Sequence, residues 1–218
     1  MTSSAFVVGS TGAVGSELVK LLADSSKFSK VVLLARRNVD IQNEKILQKT
    51  VDFEKLDENS EDVRGVDVAF CALGTTRGKS GADGFYKVDH DYVMNSAKLA
   101  KESGVKQFVL VSSGGADDKS VFLYMKTKGQ VEKEIEELGF EKFVIMRPGL
   151  IETKRQEFRL GEAVGSFFLK PLRAVSDKFS SSAVEIAQAM INATQTEEKG
   201  KMVWDNVKII AEAKKYEA

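Results

Sequence analysis

Tyr124 and Lys128 stand four residues apart in FLYMKTKGQVE, and Ser112 and Ser113 close the stretch KQFVLVSS about a dozen residues earlier. On a helix, residues four apart share a face. A free phenol titrates near pH 10, too high to exchange protons readily near neutrality. An ammonium beside it favours the phenolate. Tyr124 would then give a proton to a carbonyl oxygen as hydride reaches its carbon, or take one in the reverse direction. Ser113 would hydrogen-bond that oxygen, and Lys128 would also hold a nicotinamide ribose. A YxxxK pair alone is a weak signal, because an ordinary surface pair meets the same spacing. Placement strengthens it: the serines end an apolar strand and the Tyr–Lys helix follows directly.

The elements that must position these groups alternate along the chain. Strands are expected at AFVV (5–8), KVVLLARR (30–37), QKTVDF (48–53), VDVAFCALG (66–74), KQFVLVSS (106–113), KFVIMRP (142–148) and KMVWD (201–205). Helical spacing of apolar residues recurs at 13–23, 85–103, 124–138, 183–194 and 206–216. Strands apolar on both faces, separated by helices, imply an α/β fold with a doubly wound parallel sheet. The least regular stretch, about 152–181, is expected to extend beyond the sheet's edge, on the side where such folds take ligands. No linker or repeat divides the chain, so residues 1–218 read as a single domain.

Between the first strand and the first helix lies GSTGAVG, Gly9 to Gly15. Glycine lets the backbone turn tightly and approach a pyrophosphate. The helix N-terminus then offers N–H groups and partial positive charge. The spacing is GxxGxxG, and packing alone also produces glycine turns. At the head of a βαβ pattern, dinucleotide binding is the stronger reading. The second strand ends in Arg36 and Arg37, and the nearest acid, Asp40, lies beyond them. An acid there would suit the ribose 2′-hydroxyl of NAD, whereas arginine suits a 2′-phosphate. The expected cofactor is therefore NADPH/NADP in preference to NAD, with a basic pair on an exposed turn as the bland alternative.

GTTRGKSG, Gly74 to Gly81, looks like a nucleotide triphosphate loop but fails on spacing. Walker A places four residues between its glycines, and Gly74 and Gly78 enclose three. Arg77 and Lys79 are instead expected in a long flexible loop running to Gly84.

Other chemistries are excluded by composition. His90 is the only histidine and Cys71 the only cysteine, too few for a usual zinc site. No GxSxG elbow accompanies His90, which reads as a surface or capping residue. Cys71 reads as a buried strand residue. Asp52 either reaches an adenine or closes a turn. With 32 basic and 32 acidic residues, the net charge of zero attracts neither nucleic acid nor acidic membranes. A single cysteine, no basic N-terminal region and no apolar run long enough to span a bilayer suggest a soluble intracellular protein, cytoplasmic by default.

Taken together, GxxGxxG, the serine after the fifth strand and YxxxK resemble the short-chain dehydrogenase/reductase superfamily in its atypical branch. VDFEKL, FCALGTTRGKSGADGFYKVDHDYV, SAKLAKESG, LVSSGGAD, FLYMKTKGQVE and RPG resemble the Tat-interacting-protein family of NADPH-binding oxidoreductases. The resemblance covers about residues 5 to 162 and weakens towards the C-terminus. It implies a Rossmann-like fold. It also implies that Gly9, Thr11, Gly12, Ala13, Val14 and Gly15 hold the diphosphate, and that Leu73 and Gly74 lie on the adenosine and ribose side. Pro148, Ile151 and Arg159 would border the nicotinamide end, and Ser113, Tyr124 and Lys128 would be catalytic towards a small carbonyl substrate. One departure stands out: where many extended relatives carry Asn after a valine, this chain has Asp89 after Val88. The short C-terminal part argues against a substantial substrate domain. The family also includes regulators that bind protein partners such as nuclear-import receptors, so an NADPH-sensing module with little turnover is the alternative. Family members occur at nuclear and mitochondrial surfaces, and monomer and homodimer are both compatible with the residues.

Overall fold

The computed structural model describes residues 2–75, 77–152 and 180–217. Its first strand, β1 (Ser3–Val8), runs into the glycine turn and α1 (Ala13–Asp24). β2 (Phe28–Ala35) and β3 (Ile46–Thr50) follow, then the short α2 (Ser60–Val63) and β4 (Val68–Cys71). α3 (Arg77–Tyr86) passes through a wide π-type turn (Lys87–Asp91) into α4 (Tyr92–Glu102). β5 (Gln107–Val111), α5 (Leu123–Glu137) and β6 (Lys142–Arg147) complete the central part. Beyond it come β7 (Leu150–Glu152), β8 (Ser180–Ser182), α6 (Ala183–Gln195), β9 (Gly200–Asp205) and α7 (Asn206–Ala213).

Seven strands form one sheet in the order β3-β2-β1-β4-β5-β6-β9, every neighbouring pair parallel. Parallel neighbours need crossover connections, which is what the helices supply. Because side chains alternate along a strand, each strand feeds both faces. In β1, Ala5 and Val7 join the core beneath α1 and α6, whereas Phe6 and Val8 join the core beneath α4 and α5. All four are fully buried, and so are Leu18 and Leu22 on α1's inner stripe. Fully burying side chains of this size stabilises by roughly 1.5–3 kcal/mol each. The strand order reverses between β1 and β4, and in sheets of this kind ligands bind outside the carboxyl ends at that point. The expected doubly wound Rossmann-like sheet is therefore the observed one.

Three expectations need correction. The stretch after Gly74 is no long loop. From Arg77 to Tyr86 it is helical, broken only at Gly81, whose φ of 70° and ψ of −176° leave the helical region. Phe85 is 1% exposed, and burying its ring outweighs the weak helix propensity of the glycines around it. The third strand runs from Ile46 to Thr50, not 48 to 53. Its pairing with β2 ends at Ala35 and Thr50, and Asp52 then accepts from the Glu54 amide at 2.9 Å, closing a turn. The expected irregular stretch begins and ends in structure, since β7 and β8 pair parallel as a separate two-stranded sheet; residues 153–179 lie outside the described residues.

Two helix starts are marked by side chains that satisfy free N–H groups. At α6 the Ser182 hydroxyl accepts from the Glu185 amide while Glu185 accepts from the Ser182 amide. Asp205 accepts from the Lys208 amide at the start of α7. Each such cap contributes about 1 kcal/mol. α1, α2 and α5 start without such a cap, and at α1 the uncapped end follows the glycine turn directly.

Candidate active site

Helix α1 begins at Gly12 with no side-chain cap and no acid in its first turn. Its leading N–H groups therefore lack the carboxylate or hydroxyl that usually meets them. The turn before it is held by backbone: the Gly12 amide donates to the Gly9 carbonyl at 2.9 Å, and the Ser16 amide to the Gly12 carbonyl at 3.0 Å. Gly9 has φ 85°, and a Cβ there would lie 2.4 Å from the Ala72 carbonyl oxygen. A Cβ on Gly15 would lie 2.1 Å from the Gly9 carbonyl oxygen. Both positions require glycine, because the helix, the turn and the end of β4 approach within backbone contact. Thr11 and Ala13 are half-buried at the same turn, whereas Val14 is buried in the core beneath α1.

Register carries the turn's neighbours to the same edge. Val8 pairs with Leu34 and with Cys71, Cys71 with Leu110, and Val111 with Met146. The carboxyl ends of β1, β2, β4, β5 and β6 are thus level. Arg36 and Arg37 leave the end of β2 exposed, and neither forms an ion pair with a described residue. Leu73 packs on the core beneath α4 and α5, and Gly74 follows it into the open.

Tyr124 and Lys128 share one face of α5 but differ in setting. Tyr124 is 42% exposed, its ring 5.6 Å from that of Phe85. With Phe85, Phe122 and Leu123 it lines an apolar hollow of about 200 Å³. Lys128 is 5% exposed, and its Nζ lies 2.8 Å from Oδ1 of Asp89, itself 1% exposed. The other oxygen, Oδ2, accepts from the Thr75 amide at 2.7 Å. Burial by itself pulls the Lys128 ammonium towards deprotonation, but the Asp89 carboxylate and the nearby Tyr124 hold its pKa above the ordinary lysine value. Gly74 borders the pair: a Cβ there would lie 3.4 Å from Asp89 Oδ1 and 4.0 Å from Lys128 Nζ.

The two serines separate cleanly. Ser112 is 5% exposed and donates to Oε1 of Glu132 at 2.5 Å. Arg147 donates to the same carboxylate, Nε to Oε1 at 3.1 Å and a terminal nitrogen to Oε2 at 2.5 Å. Glu132 thereby pins α5 to the ends of β5 and β6, one helical turn beyond Lys128. Ser113 is half-buried, and among the described residues its hydroxyl reaches no more than its neighbour Gly114's carbonyl at 3.3 Å. Of the two, Ser113 is the one able to turn towards a ligand.

Pro148 is buried, and its carbonyl accepts from the Gly114 amide at 2.8 Å, joining the loop after β5 to the end of β6. Ile151 lies in β7 opposite Ser181. Asn206, at the start of α7, accepts from the Gly149 amide at 2.8 Å and donates to the Ser180 carbonyl at 2.9 Å. It thereby ties Gly149 to Ser180; Arg159 lies outside the described residues. His90 is not a surface residue. Its ring stacks on Tyr86 at 4.5 Å, and its two nitrogens reach Asp91 at 2.8 Å and Glu134 of α5 at 3.1 Å. Cys71 is fully buried, which pushes its thiol up to about 12 and leaves it inert.

Asp89, Glu132, Arg147 and Asn206 are the residues that spacing alone leaves without a role. Glu132 carried one signal: it stands four after Lys128, on the inner face of an amphipathic helix where an acid needs a partner.

The residues fit a dinucleotide. Gly9 and Gly15 let the turn, α1 and the end of β4 close to backbone contact, the α1 N-terminus is uncapped, and Arg36 and Arg37, exposed after β2, form no ion pair with a described residue. Gly74 is exposed next to the buried Lys128–Asp89 pair. Substituting Gly74 by Ala is expected to leave stability nearly unchanged, since both contacts are ordinary, while weakening nicotinamide cofactor binding roughly tenfold. Thermal unfolding and calorimetric titration read the two effects separately; equal cofactor affinity would remove Gly74 from the site.

Known proteins place this geometry. A family model described as NAD(P)H-binding matches residues 9–197. Protein HTATIP2 from Rattus norvegicus is 43% identical over 203 residues, covering 91% of this chain and 84% of that protein. The protein FMP52, mitochondrial, of Candida albicans is 39% identical over 207 residues, covering 87% and 90%. Among solved structures, MoeE5 in complex with UDP-glucose and NAD superposes with a TM-score of 0.72 at 14% identity, over 93% of this chain and 75% of that one. The oxidoreductase ylbE from Lactococcus lactis does so with a TM-score of 0.70 at 20% identity, over 97% and 95%. At such identities the structures speak for the fold alone, whereas the family match spans the glycine turn, the YxxxK helix and the strands between. With its uncapped helix, level strand ends and Tyr–Lys face, the chain belongs to the NAD(P)H-binding family, as a relative of the Tat-interacting protein.

Proposed function

We propose that this chain is an NADPH-dependent oxidoreductase that reduces a carbonyl substrate, with Tyr124 as general acid and base. The observation that carries the proposal is the Tyr124–Lys128 face of α5, held over the level carboxyl ends of β4 and β5 by two buried carboxylates. Thr11 to Val14 and the α1 N-terminus would hold the diphosphate, Leu73 and Gly74 the adenosine and ribose side, and Arg36 and Arg37 the 2′-phosphate. When bound, the nicotinamide supplies the hydride. Ser113 donates a hydrogen bond to the substrate's carbonyl oxygen and fixes it beside Tyr124. The Tyr124 hydroxyl gives that oxygen its proton, so that hydride and proton together turn the carbonyl into an alcohol. Lys128 holds the ribose and stabilises the phenolate that remains. Pro148 and Ile151 border the nicotinamide end.

The selectivity test is direct. Arg36→Ala and Arg37→Ala are each expected to weaken NADPH binding about tenfold or more while leaving NADH binding within roughly twofold, the loss of a charge-assisted contact to phosphate. Calorimetric titration with both cofactors checks it, and parallel losses for both would overturn the 2′-phosphate assignment. Turnover of a panel of quinones, aldehydes and ketones with NADPH tests the reaction.

A second reading, an NADPH-sensing module that binds protein partners, is favoured by one observation. Val121 and Phe122, at the entrance to α5, are 92% and 72% exposed beside Tyr124. It expects tight NADPH binding with negligible turnover, and different partners captured with and without NADPH; identical partners would count against it. No helix among the described residues is long and apolar enough to cross a membrane. The fungal relatives bear "mitochondrial" in their names, which supports a mitochondrial association for this chain, to be checked by fractionation against a cytoplasmic marker.

A further inference from the structure

We propose that Asp89 is a positioning residue, clamping the Lys128 ammonium to the Gly74–Thr75 turn so that lysine and turn meet the nicotinamide ribose as one unit. The proposal rests on the oxidoreductase reading above. Its basis is the division of labour within one carboxylate: Oδ1 accepts from Lys128 at 2.8 Å and Oδ2 from the Thr75 amide at 2.7 Å. Both donors come from different elements, the lysine from α5 and the amide from the loop after β4. Asp89 itself belongs to the π-type turn between α3 and α4, a place where an extra residue in the helix redirects side chains and where functional groups often sit.

Asparagine cannot reproduce this arrangement. Its side chain has a single acceptor oxygen, and its nitrogen only donates. With Asn at this position, either the ammonium or the Thr75 amide would face an NH₂ group. In this chain the lysine is held by an ion pair.

The pair also decides the lysine's charge. Three titratable groups act on Lys128: Asp89 from the π-type turn, Tyr124 from its own helix and Cys71 from β4. Cys71 is neutral, its thiol pushed up to about 12 by burial. Asp89, which both pairs with the ammonium and accepts its hydrogen bond, is the first of the two remaining neighbours that offset its burial, ahead of Tyr124, and without it burial weighs more towards the neutral amine. A neutral amine is a poorer donor to the ribose.

The test is NADPH titration between pH 7 and 9.5, followed by calorimetry, on the wild-type protein, Asp89→Asn and Asp89→Glu. Wild-type affinity is expected to stay within roughly twofold across the range. Asp89→Asn should lose about tenfold between pH 7 and 9.5, as the ammonium deprotonates. Asp89→Glu keeps the charge but moves the ammonium by a methylene, so it should bind about tenfold more weakly at every pH, with no added slope. Asp89→Asn indistinguishable from wild type throughout would overturn the proposal while leaving the cofactor assignment intact. Failure of the wild-type protein to bind NADPH would overturn the underlying reading and the proposal with it. If the Asn variant does not fold, Asp89→Glu decides: unchanged affinity overturns the clamp, and a pH-independent loss supports it.

Discussion

Replacing Lys128 by Met is expected to destabilise the cofactor-free protein by about 3–5 kcal/mol, and adding Asp89→Asn to the same chain should recover most of that loss. Methionine keeps the length and apolar character of the lysine stem, so packing along α5 is preserved. What disappears is the counter-charge of a carboxylate that is 1% exposed. An ionised carboxylate stranded in such a place is far costlier than a buried neutral amide. The double variant removes both charges and leaves a polar but uncharged side chain on the Thr75 amide. The sign with pH follows from Lys128, whose pKa in the folded protein lies above the ordinary lysine value. Its contribution is fully present below the unfolded lysine pKa of about 10.4 and is lost only as pH rises through the higher folded value. Urea midpoints of the wild type should therefore gain no slope from Lys128 between pH 7 and 9.5. A loss under about 1 kcal/mol for Lys128→Met, or additive losses in the double variant, would show that the pair carries little energy.

The lysine's place on α5 was legible in the sequence, whereas its partner's role was not. Seven strands and the helices between them follow from apolar runs and their punctuation, because the inner strands β1, β4, β5 and β6 are largely buried and need no pairing information to be recognised, although the edge strands β3 and β9 are mostly exposed. Which strand lies beside which is a matter of handedness and crossover, and the glycine turn and the doubly wound pattern together point to a sheet that reverses beside β1. GTTRGKSG misled for a local reason. Three glycines suggest a loop, but Phe85 buries its ring and carries the backbone into a helix. β7 and β8 escaped notice because three residues each leave no periodicity to count.

For the site, what shows in the sequence is whatever the chain places close together: the GxxGxxG turn, the arginine pair and Tyr124 with Lys128. What does not show is assembled across distance. Asp89 precedes Lys128 by 39 positions and meets it only because the π-type turn and α5 pack side by side. Glu132 holds Ser112 from twenty positions away. These contacts explain a choice that spacing left to analogy. Ser112 is committed to Glu132, which Arg147 also holds, whereas Ser113 carries no such bond to a described side chain and suits the proposed role. The same reasoning separates Tyr124 from the rest of the face. Lys128 and Glu132 are buried and engaged, whereas the tyrosine next to them in the helical repeat stands at the rim with its ring on Phe85.

Tyr124→Phe should for that reason leave the fold alone and remove the chemistry. The ring contact with Phe85 at 5.6 Å and the wall of the apolar hollow survive the change. Only the hydroxyl goes, and at 42% exposure its loss strands no buried partner. Thermal unfolding should shift by less than about 1 kcal/mol equivalent, within the range of surface substitutions. NADPH affinity should stay within roughly twofold if Lys128 carries the ribose contact. Turnover of any carbonyl that the wild type reduces should fall about 10²- to 10⁴-fold, the usual worth of a positioned general acid. The three readouts discriminate between the two functional readings. A stable, NADPH-binding variant with lost turnover supports Tyr124 as the proton donor. Equal turnover in both proteins would remove it from the mechanism. No turnover in either, with NADPH binding intact, would move the weight to the regulatory reading, in which the exposed Val121 and Phe122 beside the tyrosine serve a partner and the Tyr–Lys face serves only to hold the cofactor.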